Sequence, residues 1–176
     1  MNMKEAVISG YRKSFRKRGR ASRSEFWYFA LWIIILDVIG QVFNRFLMAH
    51  SPVGHPSLIL IIVGLAVSLV IILSAYPLVA VQIRRLHDVG RSGWWLAASL
   101  AVSAVTEIAM VWEFLAALKA HALVPFFRSV TAGDHMGLVL GLVVTMALGI
   151  TVFIFTVLPS EPRENAYGPS PLGDAR

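Results

Sequence analysis

The 176-residue chain is 57% hydrophobic and only 15% charged, with a mean hydropathy of +0.69. Soluble domains carry about 25% charged residues, so a water-soluble globular domain is excluded, and with no cysteine a disulfide framework and a thiolate metal site are excluded as well. The net charge of +6 and pI of about 10.2 do not indicate nucleic acid, because the basic residues flank apolar runs and no groove-reading motif accompanies them.

Residues 1–25 form a basic arm. Val7, Ile8, Tyr11 and Phe15 fall near one helical face, with Arg12, Lys13, Arg16 and Lys17 around the other. That pattern predicts a short helix in the headgroup layer, where each nearby basic residue contributes about 1 kcal/mol against anionic lipid. Arg20 and Arg23 are further basic candidates for lipid or partner contact. Ser22 and Glu25 have capping-box spacing for the helix that follows.

Four apolar windows follow, at 26–48, 57–83, 94–118 and 136–158, each 23 to 27 residues long. A helix of about 20 apolar residues crosses a bilayer core. The expected fold is therefore all-α: a polytopic membrane protein with a four-transmembrane-helix bundle over 26–158 and a tail over 159–176. A cleavable signal has an apolar region of roughly 7–15 residues; the first window is longer and contains Asp37, so it reads as a retained anchor. Eight Lys/Arg lie in 1–25 and three in 84–93, against none in 49–56 and two, Lys119 and Arg128, in 119–135. The positive-inside rule then places both termini and the 84–93 loop in the cytoplasm.

Within the first window, Asp37, Gln41 and Asn44 recur at i, i+4 and i+7, one polar stripe on one helical face. In the third, Ser99, Ser103 and Glu107 repeat at i+4. At 1.5 Å per residue, Asp37 lies roughly 16 Å and Glu107 roughly 20 Å from the same side of the membrane. Both carboxyls are thus expected near the midplane, where an ionised group costs at least ~2.5–3.5 kcal/mol and normally faces a partner or water. Arg45 and Glu113 each lie roughly 28 Å in on this measure, a spacing that suits a pair at the outer interface. In the fourth window Gly137, Gly141, Thr145 and Gly149 form a small-residue stripe, which permits close approach of another span or of a second copy. A homo-oligomer or a membrane-protein partner is the expected protein contact.

The connection "RRLHDVGRSGWW" (84–95) is read as a tight turn and anchor. Gly90 and Gly93 allow the reversal, Ser92 caps the third span, and Trp94 and Trp95 sit at headgroup depth. Arg84, Arg85, His87, Asp88 and Arg91 join them as lipid- or partner-binding candidates. His87 and Asp88 are adjacent and would diverge on a helix; no nucleophile accompanies them, so no catalytic residue is assigned. Four histidines, His50, His55, His121 and His135, fall in or beside the outer loops without i, i+4 spacing, and no metal site is assigned. The outer loop containing Pro125, Phe126 and Phe127 is expected to dip back to the interface. Pro159 helps end the fourth helix, and Tyr167–Gly168 is expected to fold back on the 84–93 segment, drawn by Glu161 and Glu164 towards Arg84 and Arg85.

"GRASRSEFW" (19–27), "RRLHDVGRSGWW" (84–95) and "PRENAYGPSP" (162–171) occur in that order. In these blocks the chain resembles domain-of-unknown-function family 805, the YhaH/YhaI-like small inner-membrane proteins of bacteria. The resemblance implies a multi-spanning inner-membrane protein and no particular activity. From the residues, the expected function is a non-enzymatic membrane module without a cofactor, whose basic cytoplasmic face contacts anionic lipid or a partner protein. The alternative is a small proton-linked transporter or channel using the midplane carboxylates.

Overall fold

The computed structural model describes residues 1–49, 58–121 and 135–173. Five helices follow one another: α1 (Met3–Arg12), α2 (Arg23–Ala49), α3 (Leu58–Asp88), α4 (Trp94–Lys119) and α5 (Met136–Val157). Each of α2 to α5 is long and apolar enough to cross a membrane, and among the described residues the only β pairing is an isolated bridge between Asn165 and Gly168. The all-α, four-span class is therefore as the sequence predicts. Contacts divide the chain into two compact units, Met1–Gly90 with Pro159–Arg176, and Arg91–Leu158.

In the first unit α1 packs on α2 and α3. It opens with a capping box that the sequence reading passed over: the Asn2 side chain accepts from the Glu5 amide at 2.9 Å, and the Glu5 carboxylate accepts from the Asn2 amide at 3.0 Å. The buried side of α1 is its small one, Ala6 and Gly10. A Cβ at Gly10 would stand 2.3 Å from the Phe29 ring, so only glycine admits this approach. Tyr11 lies edge-on to Phe29, centroids 5.3 Å apart. Its hydroxyl donates to the Ser74 carbonyl at 3.5 Å and accepts from Trp32 Nε1 at 3.4 Å, so it touches both α2 and α3. Beneath α1, Ala21, Phe26, Phe29, Ile33 and Val81 form the apolar core.

The largest departure from the sequence reading is the end of α3. It runs to Asp88 rather than 83, so RRLHD is helical and the turn is confined to 89–93. Pro77 lies inside α3, but neither Pro nor Gly occurs from 78 to 89, and the helix gives way at Gly90, which takes φ +69°, a conformation that costs glycine nothing. Gly93 has ordinary helical angles and is the N-cap of α4. Ser92 contributes a side-chain bond from the Trp94 amide at 3.3 Å.

In the second unit α4 packs against α5. A Cβ at Gly141 would lie 2.8 Å from Thr106 Oγ1, whereas among the described residues nothing lies within 4 Å of one at Gly137 or Gly149. Of the small-residue stripe, then, Gly141 is the glycine in close contact with a neighbouring helix, and Thr145 keeps a buried hydroxyl with no hydrogen-bond partner among the described residues.

Candidate functional site

The extension of α3 puts Arg84, Arg85, His87 and Asp88 on its last helical residues. Arg85 pairs with Asp88 three residues on, a spacing at which helical side chains meet. Arg20, on the strand of chain leading into α2, pairs with the other oxygen of Asp88 at 2.9 Å. Arg84 Nη1 reaches Glu25 Oε1 at 2.8 Å, where Ser9 Oγ also donates at 3.0 Å and Lys13 Nζ stands at 3.9 Å. Arg20, Glu25, Arg84, Arg85 and Asp88 are each no more than 8% exposed. A buried charge is tolerated only when paired and hydrogen-bonded, and this cluster meets that demand mainly through its own residues.

Arg20 is the hub. A guanidinium offers five N–H donors in a fixed fork, and Arg20 makes five bonds. Nε donates to Asp88 Oδ1. Nη1 donates to the carbonyls of Arg163, at 2.7 Å, and Gly168, at 3.3 Å. Nη2 donates to the carbonyls of Asp88, at 3.3 Å, and Glu161. One side chain thus ties the N-terminal arm, the end of α3 and the C-terminal tail together. Backbone bonds reinforce it: Ala21 N–H to the Arg84 carbonyl and Glu161 N–H to the Asp88 carbonyl, both 3.0 Å.

The tail is seated by the same cluster. The Tyr167 ring stacks on His87 with centroids 3.9 Å apart and planes 2° off parallel. His87 Nδ1 faces the Gly19 carbonyl at 3.2 Å; a carbonyl only accepts, so the proton belongs on Nδ1. Asn165 Nδ2 donates to the His87 carbonyl at 3.0 Å and to Glu161 Oε2 at 2.6 Å, while Asn165 Oδ1 accepts from the Tyr167 amide at 2.9 Å. Tyr167–Gly168 does fold back as expected, but not by the expected attraction. The Glu161 carboxylate turns to Asn165, and the acids that meet Arg84 and Arg85 are Glu25 and Asp88.

Placement changes the standing of several sequence candidates. Arg84, Arg85 and Asp88, offered to headgroups or a partner when RRLHD was read as a loop, are enclosed by protein. The Ser22–Glu25 capping box is half made: Ser22 Oγ accepts from the Glu25 amide at 3.3 Å, but the Glu25 carboxylate turns inward to Arg84. Arg23 is exposed. In the second unit, Trp94 is 80% exposed, Trp95 packs edge-on to Phe155 with centroids 5.7 Å apart, and the Arg91 guanidinium lies 5.4 Å over the same ring. Asp37 Oδ2 accepts from Gln41 Nε2 at 2.6 Å, and Asn44 Nδ2 donates to Ser68 Oγ at 3.4 Å, leaving Asn44 Oδ1 buried without a partner among the described residues. Glu107 is exposed on α4 and belongs to the other unit, as does Glu113, while Arg45 shares the first unit with Asp37. His50, His55, Pro125, Phe126 and Phe127 lie outside the described residues. Among the described residues, no three His, Cys, Asp or Glu side chains form a metal-holding group. Sequence reasoning missed Ser9, Glu25 as an ion-pair partner, and the tail carbonyls; the i, i+3 spacing of Arg85 and Asp88 was the one available signal.

The residues that meet here come from three separated stretches of chain: Arg20 from 19–27, the RRLHD turn from 84–95, and Asn165, Tyr167 and Gly168 from 162–171. A family model described as "Protein of unknown function (DUF805)" matches residues 14–169, which includes every one of these meeting residues. The chain belongs to that family. Among curated proteins it is similar to the inner membrane protein YhaH of Escherichia coli strain K12 and to that of Escherichia coli O157:H7. Each is 38% identical over 78 residues, 44% of this chain and 58% of the relative. The chain thus spans 58% of the length of the curated relatives it matches. No solved structure matches it. With four apolar helices of spanning length, this family member is a multi-pass inner-membrane protein.

Proposed function

We propose that the chain is a non-enzymatic membrane module, with both termini in the cytoplasm, whose basic N-terminal arm holds anionic lipid headgroups. The observation that carries this is the division of its basic residues into two sets. Arg20, Arg84 and Arg85 are spent inside the protein on carboxylates and carbonyls. Lys4, Arg12, Arg16, Lys17, Arg18 and Arg23 are exposed, beside the exposed apolar side chains of Ile8, Tyr11 and Phe15. A basic and apolar surface fastened to the start of a spanning helix suits the headgroup layer. The orientation rests on the same residues through the positive-inside rule.

Hydrogen exchange of the arm in nanodiscs tests this reading. Amides over 12–18 are expected to exchange several-fold more slowly in phosphatidylglycerol than in phosphatidylcholine, with the difference shrinking as salt screens the exposed charges. Replacing Arg12, Arg16, Lys17 and Arg18 together by Gln should abolish the difference. Equal exchange of the wild-type arm in both lipids would remove the lipid reading and favour a protein partner.

Proton-linked transport is the second reading. It is motivated by Asp37, Gln41 and Asn44 within a candidate span and by the unpartnered Asn44 oxygen. In proteoliposomes under an imposed gradient, wild type should pass protons and Asp37→Asn/Glu107→Gln should not. Equal tightness of both would sink uncoupled conduction.

A further inference from the structure

Two tryptophans of α4 stand open among the described residues, Trp94 at 80% and Trp112 at 75% exposure. They are 18 residues apart in one unbroken helix. At 3.6 residues per turn that is about five full turns, so both indoles lie on one face, and at 1.5 Å per residue they stand roughly 27 Å apart along it. The hydrocarbon core of a bilayer is about 30 Å thick. Between the indoles the same face carries Ala98, Ala101, Val105 and Ile108, at i+4, i+7, i+11 and i+14 from Trp94, all exposed and all without a polar side-chain atom. The acids of this helix lie off that line: Glu107 is turned about 140° and Glu113 about 100° away from it. Cations bracket the face. Arg91 precedes α4 by three residues, and Lys119, at its last position, returns to within about 20° of the indole line. Both are exposed.

We propose that this face of α4 is covered by lipid, with Trp94 and Trp112 seated at opposite interfaces of the bilayer. An indole couples an apolar ring to one N–H donor, which suits the boundary between acyl chains and headgroups. The aliphatic side chains between the indoles meet acyl chains. Arg91 and Lys119 reach the phosphate layers on either side, where their charge is complementary to the phosphates. The spacing also fixes the depth of α4. The hydrocarbon core ends at Trp112, the last two turns of the helix stand in the headgroup layer, and Glu107 lies roughly 7.5 Å inside one boundary rather than at the midplane. None of this rests on the headgroup contact of the N-terminal arm or on which terminus is cytoplasmic.

The chain has no cysteine, so single nitroxide labels read the face directly. Ala98→Cys, Ala101→Cys, Val105→Cys and Ile108→Cys alter exposed positions and should fold. Each is labelled in the full chain and reconstituted at low protein density in vesicles of phosphatidylcholine and phosphatidylglycerol. Ser99→Cys, at a buried position, is the reference. Collision with oxygen at the four positions is expected to exceed that at Ser99 several-fold. The ratio of oxygen collisions to those with a water-soluble nickel chelate should peak between Ala101 and Val105, midway between the indoles, and fall towards Ala98 and Ile108. The four exposed positions are also read against one another, so the depth profile stands without the reference. Oxygen collision at all four as low as in the protein interior would mean that protein covers the face, with spin–spin broadening at Val105 naming a second copy. High nickel collision would mean a water-lined path, and a ratio that only rises or only falls from Ala98 to Ile108 would break the depth assignment. Each of these results overturns the proposal, and none of them touches the exchange measurement on the arm.

Discussion

Arg20 joins three stretches of chain through one planar group. Its fork matches Asp88 and four main-chain carbonyls at once, a geometry that an ammonium with three donors does not reproduce. Asp88 in turn is shared between Arg20 and Arg85, so its charge is needed on both sides. Asp88→Asn leaves two buried guanidiniums without their counter-charge; breaking a buried pair costs about 3–5 kcal/mol, and a matching fall in Tm in detergent is expected. Arg20→Lys keeps the charge and removes the fork, so it too should lower Tm, with the tail loosened: exchange over 161–168 should rise several-fold. Wild-type Tm in Arg20→Lys would show that charge alone holds the tail. The same enclosure predicts that both effects are insensitive to salt, because buried pairs are poorly screened. The arm's lipid contact should depend on salt.

Helix ends and helix faces carry the next level of information. RRLHD reads as a loop when the span is counted out from apolar residues alone, since Arg84 ends the hydrophobic run. It is helical because ion pairs at i, i+3 and across to α2 compensate the charges, and no Pro or Gly follows Pro77 until Gly90. The stripe on α5 shows the opposite limit. Four small residues in register look equivalent in sequence, yet Gly141 is in close contact with Thr106 of α4, while a Cβ at Gly137 or Gly149 would meet no described residue within 4 Å. Gly141→Leu should therefore force α4 and α5 apart at a cost of about 1–3 kcal/mol, the range for overpacking. Gly149→Leu should be neutral or slightly stabilising, since it replaces glycine in a helix interior. Thermal unfolding of the two variants side by side checks this. Equal destabilisation would mean that the stripe packs against something at Gly149 as well, with a second copy the first candidate.

For the molecule as a whole, orientation is the property on which the proposed function depends. The chain has no cysteine, so single cysteines report topology without background. Lys17→Cys and Ser170→Cys are both expected to react with a membrane-impermeant maleimide in inverted inner-membrane vesicles and to resist it in intact spheroplasts. Reaction of either from outside would reverse that terminus. It would also place the basic arm, if Lys17 is the one labelled, away from the cytoplasmic leaflet that the proposal assigns it.

The all-helical class and the four apolar helices of spanning length were legible from hydropathy, because a span must bury about 20 apolar residues whatever its neighbours are. A helix in the basic arm was legible for a similar reason, since amphipathic spacing is a property of one segment, but α1 ends at Arg12, so Phe15, Arg16 and Lys17 lie beyond the helix their spacing predicted. The fate of individual charges was not. Arg84, Arg85 and Arg20 look no different in sequence from Arg12 and Arg18, and only the packing of α1 on α2, the run of α3 to Asp88 and the return of the tail separate enclosed guanidiniums from exposed ones. An ion pair between residues 20 and 88, or a bond from 20 to 163, depends on where separated stretches of chain meet. Periodicity records which face a side chain occupies, whereas pairing depends on distance in space, and that distance exists only once the chain has folded.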